Sequence, residues 1–191
     1  KFVPFITRSW EHERDRSLYG RFDLSWDGSG PPKLLEYNAD TPTGLLEAAV
    51  VQWHWLQDVH PQADQFNLIH EALVERFRGW GGERWHIATV LDHAEDARTA
   101  AYIADCATAA GMTTHPIDMA DIGWNGRQFV DLAGAPLHRW FKLYPWEWLL
   151  AESFATQLLA TTDLVTVEPA WKRLLSTKAL LPLLWELFPD H

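Results

Sequence analysis

The run Arg84-Trp85-His86-Ile87-Ala88-Thr89-Val90-Leu91, then a helical pattern near 95–110 that stops at Gly111, then Thr113-Thr114-His115-Pro116-Ile117-Asp118, decides the fold class. Ile87, Ala88, Val90 and Leu91 make the first run a short strand, and the last run reads as another. Strand, helix and strand so close together form a βαβ unit, which implies a parallel sheet. Beyond it, 127–132 and 136–143, on either side of Ala133-Gly134-Ala135, suggest a hairpin appended to that sheet. The expected class is α/β, in a mixed α+β arrangement.

Upstream, residues 19–38 read as a β-hairpin. Gly20-Arg21-Phe22-Asp23-Leu24-Ser25-Trp26 alternates strictly, with Phe22, Leu24 and Trp26 on one side and Arg21, Asp23 and Ser25 on the other. Asp27-Gly28-Ser29-Gly30-Pro31-Pro32 is a dense turn signal, and 33–38 returns as the second strand. Helices are expected over 44–58, 63–78 and 146–159, and across 168–188 with breaks near Ser176 and Pro182.

Side chains two apart in a strand point the same way, so Arg21 pairs in direction with Asp23, and Glu36 with Asn38. If the polar faces of the two strands coincide, a guanidinium, two carboxylates and an amide oxygen converge. Hard oxygen donors of this kind suit Mg²⁺, and an adjacent arginine suits charge developing on a phosphoryl oxygen. The same pattern also fits an exposed polar face with ordinary cross-strand ion pairs.

Composition narrows the function classes. The 191 residues suit one large domain or two interleaved lobes, and 47% hydrophobic residues are enough to bury a core. Sixteen basic against 26 acidic residues leave a net charge of −10, with no Lys/Arg run, so nucleic acid and anionic membranes are excluded as expected partners. No stretch reaches the roughly 18–20 apolar residues of a membrane span. The lone Cys106 sits in an apolar helical pattern, as a buried inert thiol would, and one free thiol suits the cytoplasm. Twelve tryptophans without interleaved cations read as packing rather than a stacking platform. His54, His60 and His70 have no metal-ligand spacing, and the start at Lys1, without Met or a signal-peptide layout, reads as a trimmed or partial chain.

Four blocks in order carry a family resemblance. The first is Tyr19-Gly20-Arg21-Phe22-Asp23-Leu24-Ser25-Trp26-Asp27-Gly28 with Lys33-Leu34-Leu35-Glu36-Tyr37-Asn38-Ala39-Asp40-Thr41-Pro42-Thr43. The second is Phe141-Lys142-Leu143-Tyr144-Pro145-Trp146-Glu147-Trp148. The others are Glu168-Pro169-Ala170-Trp171-Lys172 and Ser176-Thr177-Lys178-Ala179-Leu180-Leu181-Pro182. Together they resemble the glutathionylspermidine synthase family. The resemblance implies an ATP-grasp-type ligase segment, with a β-hairpin magnesium site and a βαβ pre-ATP-grasp lobe. It implies ATP- and Mg²⁺-dependent joining of a carboxylate to an amine through an acyl phosphate, on a glutathione-like peptide or small acid and an amine.

By matching position, Arg21 would stabilise the transferring phosphoryl group. Asp23, Glu36 and Asn38 would hold magnesium, and Lys178 would contact ATP phosphate beside Arg21 and Asp23. Thr41 and Thr43 stand where the synthase carries serines near its substrate, although Thr43 is equally a helix N-cap. Glu95 and Asp96 resemble an acidic pair tied to peptide binding, although acids in a first helical turn also answer the helix dipole. Glu47 is a possible support or a solvated residue, Trp146 and Glu147 read as packing, and Leu143 replaces a hydroxyl near the amine pocket. Residues 1–82 are expected to contribute hairpin and helices to the active site, 83–160 the substrate-side lobe, and 161–191 the start of a nucleotide-binding subdomain. No second phosphate-binding lysine strand, glycine-rich loop or adenine strand is read here. The stretch alone is therefore expected to be inactive, completed by a C-terminal ATP-grasp segment. The rival expectation is a non-catalytic module that binds a peptide or small molecule, or a structural partner domain.

Overall fold

From Trp85 to Thr89 no residue carries a formal charge except by protonation of His86, a pattern suited to a strand covered on both faces. The computed structural model, which describes residues 2–13, 16–81 and 84–190, buries all five. In chain order the elements are α1 (Val3–Glu13), β1 (Arg21–Ser25), β2 (Lys33–Asn38), α2 (Gln52–Val59), α3 (Ile69–Trp80), β3 (Arg84–Thr89), α4 (Ala94–Ala109) and β4 (Thr113–Asp118). After these come β5 (Gly123–Trp124), β6 (Phe129–Val130), β7 (Arg139–Leu143), α5 (Trp146–Leu149), α6 (Ala155–Ala160), β8 (Val165–Val167) and α7 (Leu180–Leu187). They belong to two compact units: Lys1–Pro42 with Pro145–Thr161 and Val165–His191, and Thr43–Tyr144 with Thr162–Leu164. These units interleave along the chain. No helix among the described residues is long and apolar enough to cross a membrane.

In the second unit β3 runs parallel to both β4 and β7, with α4 as the crossover from β3 to β4. Small residues let α4 approach closely, and it buries Ala100, Ala104 and Ala107 with Ile103 and Cys106. Its end is a Schellman turn. Gly111, at φ +91°, donates to Thr108 O, and Met112 donates to Ala107 O. Burial pushes the Cys106 thiol up, as expected of an inert core residue.

Three expectations for this unit need correction. The helix expected from 63 starts at Ile69, because Asn67 is held outside it. Its Nδ2 donates to Ala48 O at 2.8 Å and its Oδ1 accepts from Ile69 N. The same amide answers a carbonyl of the π-helical stretch Glu47–Val51, which interrupts the helix expected over 44–58. The appended hairpin is reduced to a tight turn. Val130 bridges Pro136, and Asp131 Oδ1 accepts from Ala133 N and Ala135 N, while Arg139–Leu143 pairs in parallel with β3. Trp140, Phe141, Lys142 and Leu143 are all buried, which an appended surface strand would not allow.

In the first unit the hairpin forms as expected, and α1 is an addition. Its Phe5 meets Trp146 edge-on at 5.5 Å, and its Trp10 meets Trp171 edge-on at 5.1 Å, in keeping with tryptophan as packing material. The helix expected over 146–159 is two short ones. Leu149 and Leu158, nine positions apart, would sit on opposite sides of one helix, whereas the break lets both be buried. Pro182 falls in the first turn of α7, where its missing N–H has no intrahelical acceptor to lose, so no break occurs there.

A buried ion pair binds this unit together. Glu168 and Lys172 are both fully buried and paired. The carboxylate also accepts from Leu18 N at 3.0 Å and Tyr19 N at 2.9 Å, and the ammonium donates to Ser17 Oγ at 2.9 Å and to Tyr19 O. Burial raises the Glu168 carboxyl and lowers the Lys172 ammonium from their ordinary values, and the partner's opposite charge counters each shift. Lys172→Met leaves a buried carboxylate without its counter-charge. It should destabilise the protein by about 3–5 kcal/mol, read as a lower urea midpoint. An unchanged midpoint would contradict the pair's structural role.

Candidate active site

Cross-strand register decides whether the polar side chains of the hairpin meet. β1 and β2 pair antiparallel with Arg21 opposite Asn38 and Asp23 opposite Glu36. Directly opposed residues share a face, so all four project together. A bulge follows between Asp23 and Leu24. Phe22 stacks on Tyr37 with centroids 4.2 Å apart, and Gly20 makes room for that ring. A Cβ at Gly20 would come within 2.6 Å of the tyrosine.

The four side chains are already engaged. Arg21 Nε donates to Asp23 Oδ1 at 2.8 Å and Nη2 to Oδ2 at 3.2 Å, a forked contact. Asn38 Nδ2 donates to Glu36 Oε1 at 2.9 Å, and Lys178 Nζ stands 3.1 Å from Glu36 Oε2. The Arg21 hydrogen bond holds the Asp23 carboxyl below its ordinary value, and the charges of Arg21 and Lys178 reinforce the shift. Lys178 is otherwise 88% exposed.

The end of β2 is fixed from two sides. Ser176 Oγ accepts from Ala39 N and Asp40 N, each at 2.9 Å, and Asp40 Oδ2 accepts from Trp146 N at 2.7 Å. Trp146 Nε1 in turn donates to Glu168 O at 2.9 Å. Asn38, Asp40, Thr41, Ser176 and Lys178 thus come together in the wall of a cavity of about 620 Å³. Sequence reasoning overlooked Asp40, Glu168, Lys172 and Ser176. The available signal was the charged pair at i, i+4 inside the block beginning at Glu168.

The other sequence candidates belong to the second unit. Thr43 is exposed and stands just before a helix. The first helical residue is Leu45, and Gly44, at φ +77°, supplies the carbonyl that accepts from Ala48 N. Glu95 and Asp96 lie in the first turn of α4, and Asp96 Oδ2 is 3.1 Å from His93 Nδ1. Glu47 is exposed at the start of the π-helical stretch.

The model of the glutathionylspermidine synthase pre-ATP-grasp family matches residues 1–191. The chain belongs to that family. Among its curated relatives, a Haemophilus influenzae protein carrying the provisional name acid–amine ligase is 45% identical over 97% of this chain and 49% of its own length. Trypanothione synthetase of Crithidia fasciculata is 28% identical over 98% of the chain and 33% of its own. The bifunctional glutathionylspermidine synthetase/amidase of Escherichia coli is 26% identical over 98% and 34%. The chain therefore spans about half the length of the first relative and about a third of the other two.

For a glutathionylspermidine synthase-type chain the donor set of the hairpin is chemically apt. Asp23, Glu36 and Asn38 offer hard oxygens, although no group of three or more His, Cys, Asp or Glu among the described residues is arranged to hold a metal. Arg21→Met should raise the Asp23 carboxyl toward its ordinary value, and a carbon-13 NMR titration reads the rise directly. A carboxyl that still titrates low would mean that another group holds it.

Proposed function

We propose that the protein is an ATP- and Mg²⁺-dependent ligase joining a carboxylate to an amine, in the manner of glutathionylspermidine synthase. One observation carries the reading: Arg21, Asp23, Glu36 and Asn38 share a single face, with Lys178 ion-paired to it. Family membership supports the same class, because the relatives are named ligase or synthetase.

Asp23 and Glu36 would hold magnesium through carboxylate oxygens, and Asn38 would add its amide oxygen. Bound ATP would supply the phosphoryl group that activates the substrate carboxylate. Arg21 would turn its guanidinium toward the negative charge that grows on the transferring group. Lys178 would exchange Glu36 for a phosphate oxygen, a movement its exposed side chain leaves open. Thr41 would offer a hydroxyl to the substrate from the cavity wall, and Thr43, Glu95 and Asp96 are further candidate substrate-binding residues. The names of the two synthetase relatives suggest a glutathione-like peptide as the acid and a polyamine-like amine. A buried, unpaired thiol at Cys106 accords with a cytoplasmic protein.

The reaction is tested with the natural polypeptide that contains these residues, incubated with ATP, Mg²⁺ and a metabolite pool. Mass spectrometry should find a product heavier than its acid by the amine less water. Arg21→Ala should lower turnover by roughly 10²–10³, because its interaction strengthens in the transition state, and leave ATP affinity nearly unchanged. Equal losses in turnover and affinity would count against the assigned role.

A further inference from the structure

The cavity beside the end of β2 contains both signs of charge: Arg173 and Lys178 against Asp40 and Glu147. Three of these are accounted for. Asp40 is 6% exposed and accepts from Trp146 N, Lys178 pairs with Glu36, and Glu147 is open to solvent. Arg173 differs. It is half-buried, and its guanidinium has no hydrogen-bond or ion-pair partner among the described residues. A guanidinium at a cavity wall, with none of its five N–H donors taken by a described protein group, is free to bind an anion that enters.

The backbone that carries Arg173 is held in place. The preceding Lys172 is fully buried in its ion pair. Leu175 N and Ser176 N both donate to Lys172 O, at 3.0 and 3.2 Å, and Ser176 Oγ closes on Ala39 N and Asp40 N. The guanidinium therefore stands on a frame tied to the strand that carries Glu36 and Asn38. Its planar fork suits the paired oxygens of a carboxylate or a phosphate.

We propose that Arg173 is the oxyanion-binding residue of this cavity, anchoring a carboxylate or phosphate group of the ligand; the inference rests on the ligase reading of the same site. Calorimetric titration of the full protein with Mg·ATP and, separately, with glutathione distinguishes the two sources. Because the Arg173 guanidinium has no hydrogen-bond or ion-pair partner among the described residues, and Met keeps much of its apolar stem, Arg173→Met should keep the wild-type circular dichroism spectrum. It should bind one of the two probes about tenfold or more weakly, with Arg173→Lys recovering part of the loss. A loss on the ATP arm assigns the group to a phosphate, and a loss on the glutathione arm assigns it to a carboxylate. Unchanged affinity for both probes overturns the proposal, and so does a wild-type protein that binds neither. Glu36→Gln, titrated in parallel, reads the ligase assignment alone. If Mg·ATP affinity ignores Glu36→Gln while Arg173→Met still weakens a probe, the ligase assignment fails and the oxyanion residue stands. The opposite pattern retains the ligase assignment and removes Arg173.

Discussion

The hairpin depends on a salt bridge that never sees water. Glu168 and Lys172 are four positions apart and fully buried, yet their partners are Ser17, Leu18 and Tyr19, some 150 positions earlier. The segment they grip is the approach to β1, so the start of the strand that bears Arg21 and Asp23 is anchored by charge. A buried pair of this kind contributes little net stability over a well-packed apolar replacement, because desolvation offsets the attraction. Its value lies in specificity. A carboxylate with three donors and an ammonium with three acceptors accept one placement of residues 17–19 and penalise others.

The same logic extends to the second strand. The chain leaving β2 has two backbone N–H groups at Ala39 and Asp40, and one hydroxyl, Ser176, takes both. Asp40 then reaches Trp146, and Trp146 reaches the carbonyl of Glu168. Both ends of the site therefore trace back to the short stretch 168–176. Arg21 and Lys178 neutralise Asp23 and Glu36, which would otherwise repel each other across the ladder. A divalent cation bound there would take over that neutralising role and free the two side-chain cations to face an anionic ligand.

How far sequence reading reached follows from the range of each interaction. The βαβ unit was legible because its signals are local: a strand of neutral residues, an alanine-rich helix and a glycine at the one position that needs positive φ. That Arg21 shares a face with Asp23, and Glu36 with Asn38, was legible because period two fixes faces. Whether the two faces coincide depended on a cross-strand register that the sequence left open. What escaped depended on distant partners. Asn67 delays α3 by bonding to carbonyls 18 and 19 positions away, and Asp40, Ser176 and Glu168 act across more than a hundred.

The β-bulge sets how far the polar face extends. Strict alternation would carry the side of Glu36 and Asn38 on to Leu34, and would pair Leu24 with Leu35. The register shift after Asp23 pairs Leu24 with Leu34 instead. Opposed residues share a face, and Leu24 belongs by alternation with Phe22, so the shift turns Leu34 away from the carboxylates. Leu34 then lines an apolar groove with Leu181, Leu184, Trp185 and Phe188. The same shift sets Ser25 opposite Lys33 rather than Leu34, so a third polar pair follows Arg21 with Asn38 and Asp23 with Glu36 along that face. The carboxylates and the amide are confined to the first two pairs, so the proposed metal-bridged phosphate group would lie at that end of the face.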